Sequence, residues 1–186
     1  MENVIRGRVY KFGDNVNSDI IIPGRYLIYI EPEKLAEHAF EVLGADMPKK
    51  LRSYDIFVAG RNFGCGSARE QAATAIIGLG VKAVIACSFA RTFYRNAINS
   101  GLPIIECPSL YEAAHEDDTI EIDILNGTIQ CGEKQHAFLF RTGVHRRFVD
   151  KLREFLPCHF EKTVPKSVFG HLQIVFGDRK HRVTGA

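Results

Sequence analysis

The sequence predicts an α/β fold with a mixed sheet, parallel in its middle and antiparallel at one end. Two observations carry this reading. Between Asp55 and Cys107, short apolar runs alternate with amphipathic, helix-forming stretches, the order that builds a parallel sheet. Beyond Thr119 the pattern turns to two-residue alternation broken by Asn126-Gly127, a hairpin signal that adds antiparallel strands.

Taken in order, Val4 to Phe12 alternates as a first strand and ends in the turn Gly13-Asp14-Asn15. Asn17 to Leu27 is polar at its start and apolar afterwards, with Pro23-Gly24 inside it, and reads as a loop entering a short buried segment. Pro32 opens a helix that places Leu35, Ala39 and Val42 at helical spacing, with Gly44 as its stop. Asp55 to Ala59 is a buried strand that ends at Gly60 in a glycine-broken turn. A helix follows, and Ser67 with Glu70 three residues on has the spacing of a capping box. Val81 to Ala86 repeats the buried-strand pattern, and Ser88 to Asn99 reads as a Ser-capped amphipathic helix ending near Gly101. Leu102 to Cys107 is a further short strand and Ser109 to Ala114 a brief helix. Thr119 to Leu125 and Thr128 to Cys131 form the hairpin. Beyond Phe138 one helix is expected, around Arg146 to Phe155.

With 186 residues, 46% of them hydrophobic, the chain suits one domain and an appendage. Its longest apolar runs fall far short of a membrane span, and the N-terminus lacks the basic-then-apolar order of a signal peptide, so a cytoplasmic location is expected. The five cysteines are odd in number and contain no C-x-x-C pair, which fits reduced thiols; no metal site is expected. The formal charge of +2 hides a division. Residues 1–133 carry 13 Lys/Arg against 18 Asp/Glu, whereas residues 134–186 carry 11 against 4 and five of the seven histidines. We therefore divide the chain into a domain over 1–133 and a basic C-terminal extension over 134–186, loosely ordered, whose surface is more simply solvated than bound to nucleic acid.

The chemistry concentrates in Gly60-Arg-Asn-Phe-Gly-Cys-Gly-Ser-Ala-Arg-Glu70, where glycines let a ligand approach and a helix start offers free amides. A phosphate-binding loop needs Lys-Ser/Thr after its last glycine, and a dinucleotide fingerprint needs a third glycine or alanine where Arg69 stands. Neither is present. An arginine there suits a carboxylate, which its fork can hold with two hydrogen bonds.

These residues resemble a known signature. Asn62 to Gln71 is similar to the Asn-[Phe/Tyr]-Gly-x-Gly-Ser-Ser-Arg-Glu-His run of the aconitase superfamily. Asp14 to Leu27 resembles its Asp-x-[Ser/Thr]-Asp-x-Ile-x-Pro segment, and Ser88 to Gly101 its Ser-Phe-Ala-Arg run. Three ordered motifs cover roughly residues 4–130, and the chain length matches that of separate small subunits in the superfamily. The resemblance implies a swivelling β/β/α domain that closes over a large subunit. That partner would hold a 4Fe-4S cluster through three cysteines; this chain would bind none and be inactive alone.

The resemblance assigns Ser67 as the base that removes a carbon-bound proton and Arg69 as a carboxylate clamp. A serine hydroxyl can act so only where amides, positive charge and exclusion of water stabilise its alkoxide. By spacing alone, Ser67 is equally an N-cap paired with Glu70. Gly64, Cys65, Gly66 and Ala68 complete the turn as substrate-binding positions, Ala68 departing from the family's second serine and so lacking one hydrogen-bond donor. Asp19 matches a site carboxylate and Ser18 its hydroxyl neighbour, though either residue type also forms ordinary turns. Arg91 and Arg95 suit either acids on a subunit face or a solvated helix face.

Substrate choice rests on the segment after Pro23. Leu27, Ile28, Tyr29 and Ile30 stand where relatives acting on tricarboxylates place an arginine, and an apolar loop suits an isopropyl group. Arg25 keeps a tricarboxylate reading open. The expected reaction is dehydration and rehydration interconverting 2- and 3-isopropylmalate in leucine biosynthesis. The alternatives are a homoaconitase-type or methylmalate/citraconate hydratase small subunit, or a non-catalytic regulatory or RNA-binding relative, the last separable by salt-dependent RNA binding.

Overall fold

A computed structural model describes residues 4–124 and 126–138. The helix expected around Arg146 to Phe155, and the extension from residue 139 onward, lie outside the described residues.

Besides two 3-10 turns, Gly24–Tyr26 and Glu41–Leu43, the described residues form thirteen α-helices and β-strands: β1 Val4–Lys11, α1 Ser18–Ile21, α2 Pro32–Ala36, α3 Met47–Leu51, β2 Ile56–Ala59, α4 Glu70–Gly78, β3 Ala83–Ala86, α5 Arg91–Ser100, β4 Ile104–Glu106, α6 Pro108–Ala113, β5 Thr119–Asp123, β6 Thr128–Cys131 and β7 Lys134–Ala137. They form one sheet in the order β4-β3-β2-β1-β5-β6-β7. From β4 to β1 the pairing is parallel, and from β1 through β5 and β6 to β7 it is antiparallel. The mixed α/β sheet expected from the sequence is thus present, with β1 as the strand where the two regimes meet.

Burial follows pairing. Every residue of β2 (Ile56, Phe57, Val58, Ala59) and of β3 (Ala83, Val84, Ile85, Ala86) is fully buried, as parallel strands covered on both faces require. In β5 and β6 burial alternates, with Ile120, Ile122, Ile129 and Cys131 turned inward, so one face of this antiparallel end meets water. The edge strand β7 is largely exposed and carries Lys134, a charge that discourages pairing with another sheet.

The main core brings Leu35, Ala36, Phe40, Ala72, Ala73, Ile76, Phe93 and Ala97 of the helical segments against Phe57, Ala59, Val84 and Ala86 of the sheet. Phe12 links the two, stacked on Phe40 at 4.8 Å between ring centroids and edge-on to Phe57 at 5.1 Å.

Four local expectations are corrected. The segment after Asn17 enters the core as the helical turn α1, because the Asn17 side chain accepts from the Ile20 N–H at 2.8 Å and caps it. The single helix expected from Pro32 to Gly44 is broken: Phe40 takes a left-handed φ of 60°, its N–H bonds to the Ile21 carbonyl, and Glu41–Leu43 continues as a 3-10 turn. Burying Phe40 outweighs helical continuity there. The helix α3 has no strong sequence signal. Neither serine cap forms, since Arg69 and Ala90 occupy the N-cap positions of α4 and α5 without side-chain bonds. Ser88 instead accepts from the Asn62 N–H at 2.9 Å and so ties down the glycine turn.

Candidate functional site

The site lies beyond the C-terminal ends of the parallel strands β2 and β3, where loops gather in an open parallel sheet. Three loops are tied together there. An isolated parallel bridge joins Asn17 to Cys65, with the Ser18 N–H donating to the Cys65 carbonyl at 2.7 Å and the Gly64 N–H to the Val16 carbonyl at 2.7 Å. A second bridge joins Phe63 to Phe89, with the Ala90 N–H donating to the Phe63 carbonyl at 2.9 Å. Asn62, itself left-handed at φ 62°, donates from Nδ2 to Asn15 Oδ1 at 3.0 Å.

Two glycines are required at this turn. Gly64 has φ 76°, and a methyl group there would collide with the Phe93 ring; Gly66 has φ 92°, and a methyl group there would crowd the Ser18 hydroxyl at 3.2 Å. The turn therefore sits flat on α5 and on α1, with its next residues turned to solvent. Gly66, Ser67 and Ala68 are exposed and Cys65 is half-buried. Among the described residues no acceptor takes the N–H of Gly66, Ser67 or Ala68, and Ser67 Oγ has no hydrogen-bond partner. The helix α4 begins immediately afterwards, so its positive end adds to these amides. Because Arg69 holds the N-cap position, the Ser67 hydroxyl is not consumed in capping.

Arg69 reaches back across the site. Its Nη1 lies 2.6 Å from Asp19 Oδ1 and donates to the Ile22 carbonyl at 3.2 Å, while its guanidinium lies along the backbone of Gly24. The arginine side chain is only 17% exposed and the aspartate 57%. Nε and Nη2 carry no hydrogen bond among the described residues, which leaves donors for a carboxylate. Ser18 is 1% exposed, and its Oγ has no hydrogen-bond partner among the described residues. A buried hydroxyl without a bond is costly, and this one faces Gly66.

The structure thus brings together Ser18, Asp19, Gly64, Cys65, Gly66, Ser67, Ala68 and Arg69. The loop after Gly24 divides. Ile28 and Ile30 are 78% and 82% exposed, whereas Leu27 and Tyr29 lean against the core. Of the expected alkyl-contacting residues, then, Ile28 presents its side chain outward and Leu27 and Tyr29 support it from behind. Arg25 is paired with Glu41 and lies over the Tyr26 ring at 4.8 Å. The sequence reading missed His38 and Glu41, absorbed there into one long helix; their three-residue spacing is the only signal they carry. Arg91 and Arg95 are exposed on α5 and make no ion pair among the described residues.

Among the described residues no three of His, Cys, Asp and Glu converge as metal ligands. Cys107 and Cys131 are buried, and burial raises the thiol pKa of Cys87 and Cys131 above the ordinary value. No described helix is long and apolar enough to cross a membrane.

Comparison with known proteins agrees with this architecture. Residues 21–109 match the family model of the aconitase C-terminal domain. The isopropylmalate/citramalate isomerase small subunit of Methanocaldococcus jannaschii is 51% identical over 130 residues, covering 70% of this chain and 77% of that protein. The 3-isopropylmalate dehydratase small subunit of Thermodesulfovibrio yellowstonii is 52% identical over 125 residues, covering 67% and 74%. The crystal structure of 3-isopropylmalate dehydratase from Methanocaldococcus jannaschii superposes with a TM-score of 0.71 at 41% identity, covering 82% of this chain and 96% of that one. At such identity over more than two thirds of each relative, with the three signature loops assembled at one site, the chain belongs to the family of 3-isopropylmalate dehydratase small subunits within the aconitase superfamily.

Proposed function

We propose that this chain is the small subunit of a heteromeric hydro-lyase that interconverts 2-isopropylmalate and 3-isopropylmalate by dehydration and rehydration, in the cytoplasm and in the service of leucine biosynthesis. The observation that carries the reading is the turn at Ser67: among the described residues, a hydroxyl and three neighbouring N–H groups without partners, beside an arginine whose Nε and Nη2 carry no hydrogen bond.

The chain's own part in the reaction follows from those groups. Arg69 holds a substrate carboxylate through Nε and Nη2, and Asp19 fixes the guanidinium by occupying Nη1. The Ser67 oxygen, as alkoxide, takes the proton from the carbon next to that carboxylate and becomes a hydroxyl. In the reverse step it returns the proton. The amides of Gly66, Ser67 and Ala68, the end of α4 and Arg69 stabilise the negative oxygen once a partner surface excludes water. A 4Fe-4S cluster held by the large subunit would supply the Lewis acidity that loosens the substrate's hydroxyl. In this reading the isolated chain is inactive.

Exposed Ile28 and Ile30 favour a branched alkyl substituent over a third carboxylate, and Arg25, the cation of the loop, is already paired with Glu41. A methyl-substituted malate fits the same apolar surface, and one relative is named for isopropylmalate and citramalate alike. The test is anaerobic reconstitution with a cluster-bearing large subunit. Turnover of isopropylmalate by the pair, and by neither subunit alone, is the expected result; faster turnover of homoaconitate would overturn it.

A further inference from the structure

The loop that carries Ile28 and Ile30 is held at its beginning by Arg69 and along its middle by His38 and Glu41, which lie outside the signature motifs. Its beginning is fixed to the site, because the Ile22 carbonyl accepts from Arg69 and Gly24 lies against the same guanidinium. Its middle rests on a three-ring stack: Tyr26 lies on His38 with centroids 3.7 Å apart and planes 3° apart, and Tyr29 lies 6.2 Å from His38 at 12°. Glu41 completes the attachment. One of its oxygens pairs with Arg25 and the other lies 3.2 Å from His38 Nδ1, on a side chain only 17% exposed. Burial opposes ionisation of Glu41, yet bonds from Tyr26, Arg25 and His38 together hold its carboxyl below the ordinary range.

From this arrangement we infer that His38 and Glu41 are positioning residues for substrate selection: they clamp the 25–30 loop so that its apolar tip faces the alkyl group at a fixed height above Arg69. The inference rests on the proposed isopropylmalate reading for what the tip contacts, but not for the clamp itself. Among the described residues this loop with two exposed isoleucines has local backbone bonds, Tyr26 N–H to Pro23, Leu27 N–H to Gly24, Tyr29 N–H to Tyr26 and Ile30 N–H to the Glu31 carboxylate, and no sheet or long helix to hold it. The ring stack and the half-buried acid supply that rigidity, and in doing so they engage Arg25 in the pair with Glu41.

Two measurements separate the clamp from the assigned reaction. In hydrogen exchange on the isolated chain, His38→Ala is expected to speed exchange at the Leu27 and Tyr29 amides about fivefold to tenfold, the size of an aromatic stacking contribution. The β2 and β3 amides remain protected, and His38→Phe, which keeps a flat ring, restores most of the loop's protection. Equal exchange in wild type and His38→Ala, or a uniform rise across the sheet, would overturn the clamp. In the reconstituted pair, His38→Ala and Glu41→Gln are expected to raise KM for isopropylmalate about tenfold while kcat falls far less, and to shrink the preference over citramalate. An unchanged KM and preference would overturn the selection role. If the wild-type pair does not act on isopropylmalate at all, the assigned reaction fails while the exchange result still decides the clamp.

Discussion

Arg69 Nη1 meets Asp19 Oδ1 at 2.6 Å across fifty residues of sequence, and this pair fastens the glycine turn to α1, which leads into the 25–30 loop. The aspartate is more than half exposed, so the pair contributes modestly to stability, about 1 kcal/mol or less. Its larger consequence is orientation. Asp19→Asn is expected to raise KM with little change in melting temperature, and Arg69→Lys, which loses the planar fork, to raise it further. A double-substitution cycle on KM should show coupling of about 1 kcal/mol or more; strict additivity would separate the two residues.

Ser67→Ala is expected to lower kcat of the reconstituted pair by about 100-fold to 10,000-fold, the range for loss of a positioned proton acceptor. Stability should stay within about 0.5 kcal/mol, because the side chain is exposed and makes no hydrogen bond among the described residues. Comparable kcat in wild type and variant would remove the base.

Ala68 stands beside that oxygen with an exposed methyl group. Ala68→Ser restores a donor next to the substrate carboxylate and is expected to lower KM, by up to about tenfold for one added hydrogen bond. A rise in KM would show that the methyl group is itself part of the fit.

Gly64→Ala tests the backbone. The left-handed φ of 76° and the collision with Phe93 both oppose a side chain, and a loss of about 2–4 kcal/mol in chemical denaturation is expected. Phe93→Leu combined with Gly64→Ala should recover only the steric part.

Two of the carboxylates with lowered pKa values, Asp55 and Glu41, lie at least partly out of solvent and contribute to the acid limb of stability. Burial raises the pKa of Asp55, but the Lys82 ammonium at 2.7 Å and the Arg8 N–H outweigh it, and Glu41 is likewise lowered against burial. Since both folded values lie below the ordinary 3.8 for Asp55 and 4.5 for Glu41, their stabilisation is complete above those values. It is lost as the pH falls through the lowered ones. Melting temperature should therefore drop below about pH 4.5, and the Asp55→Asn, Glu41→Gln double variant should show a shallower drop.

The strands were legible from sequence because burial on one or two faces leaves a period that local composition records: continuous in Ile56–Ala59 and Ala83–Ala86, alternating in Thr119–Asp123. The caps were not. Ser67 and Ser88 have the composition of N-caps, but the backbone between Gly64 and Arg69 follows the packing of Phe93 and the bridge to Asn17, which delays the helix start to Glu70. The helix expected through Phe40 failed for a similar reason, since its ring is worth more in the core, stacked on Phe12, than its backbone is in a continuous helix.

By itself the sequence determined the strands and main helices of the mixed sheet, the family to which the motifs point, and which side chains are candidates for the chemistry, because those depend on residue type and spacing. Only the tertiary structure decided that Ser67 does not cap α4, that Arg69 pairs with Asp19 of α1, and that Arg25 pairs with Glu41. The physical reason is range. Periodicity and turn chemistry act within a few residues, whereas hydrogen-bond availability at a site is settled by whichever distant segment arrives to take it.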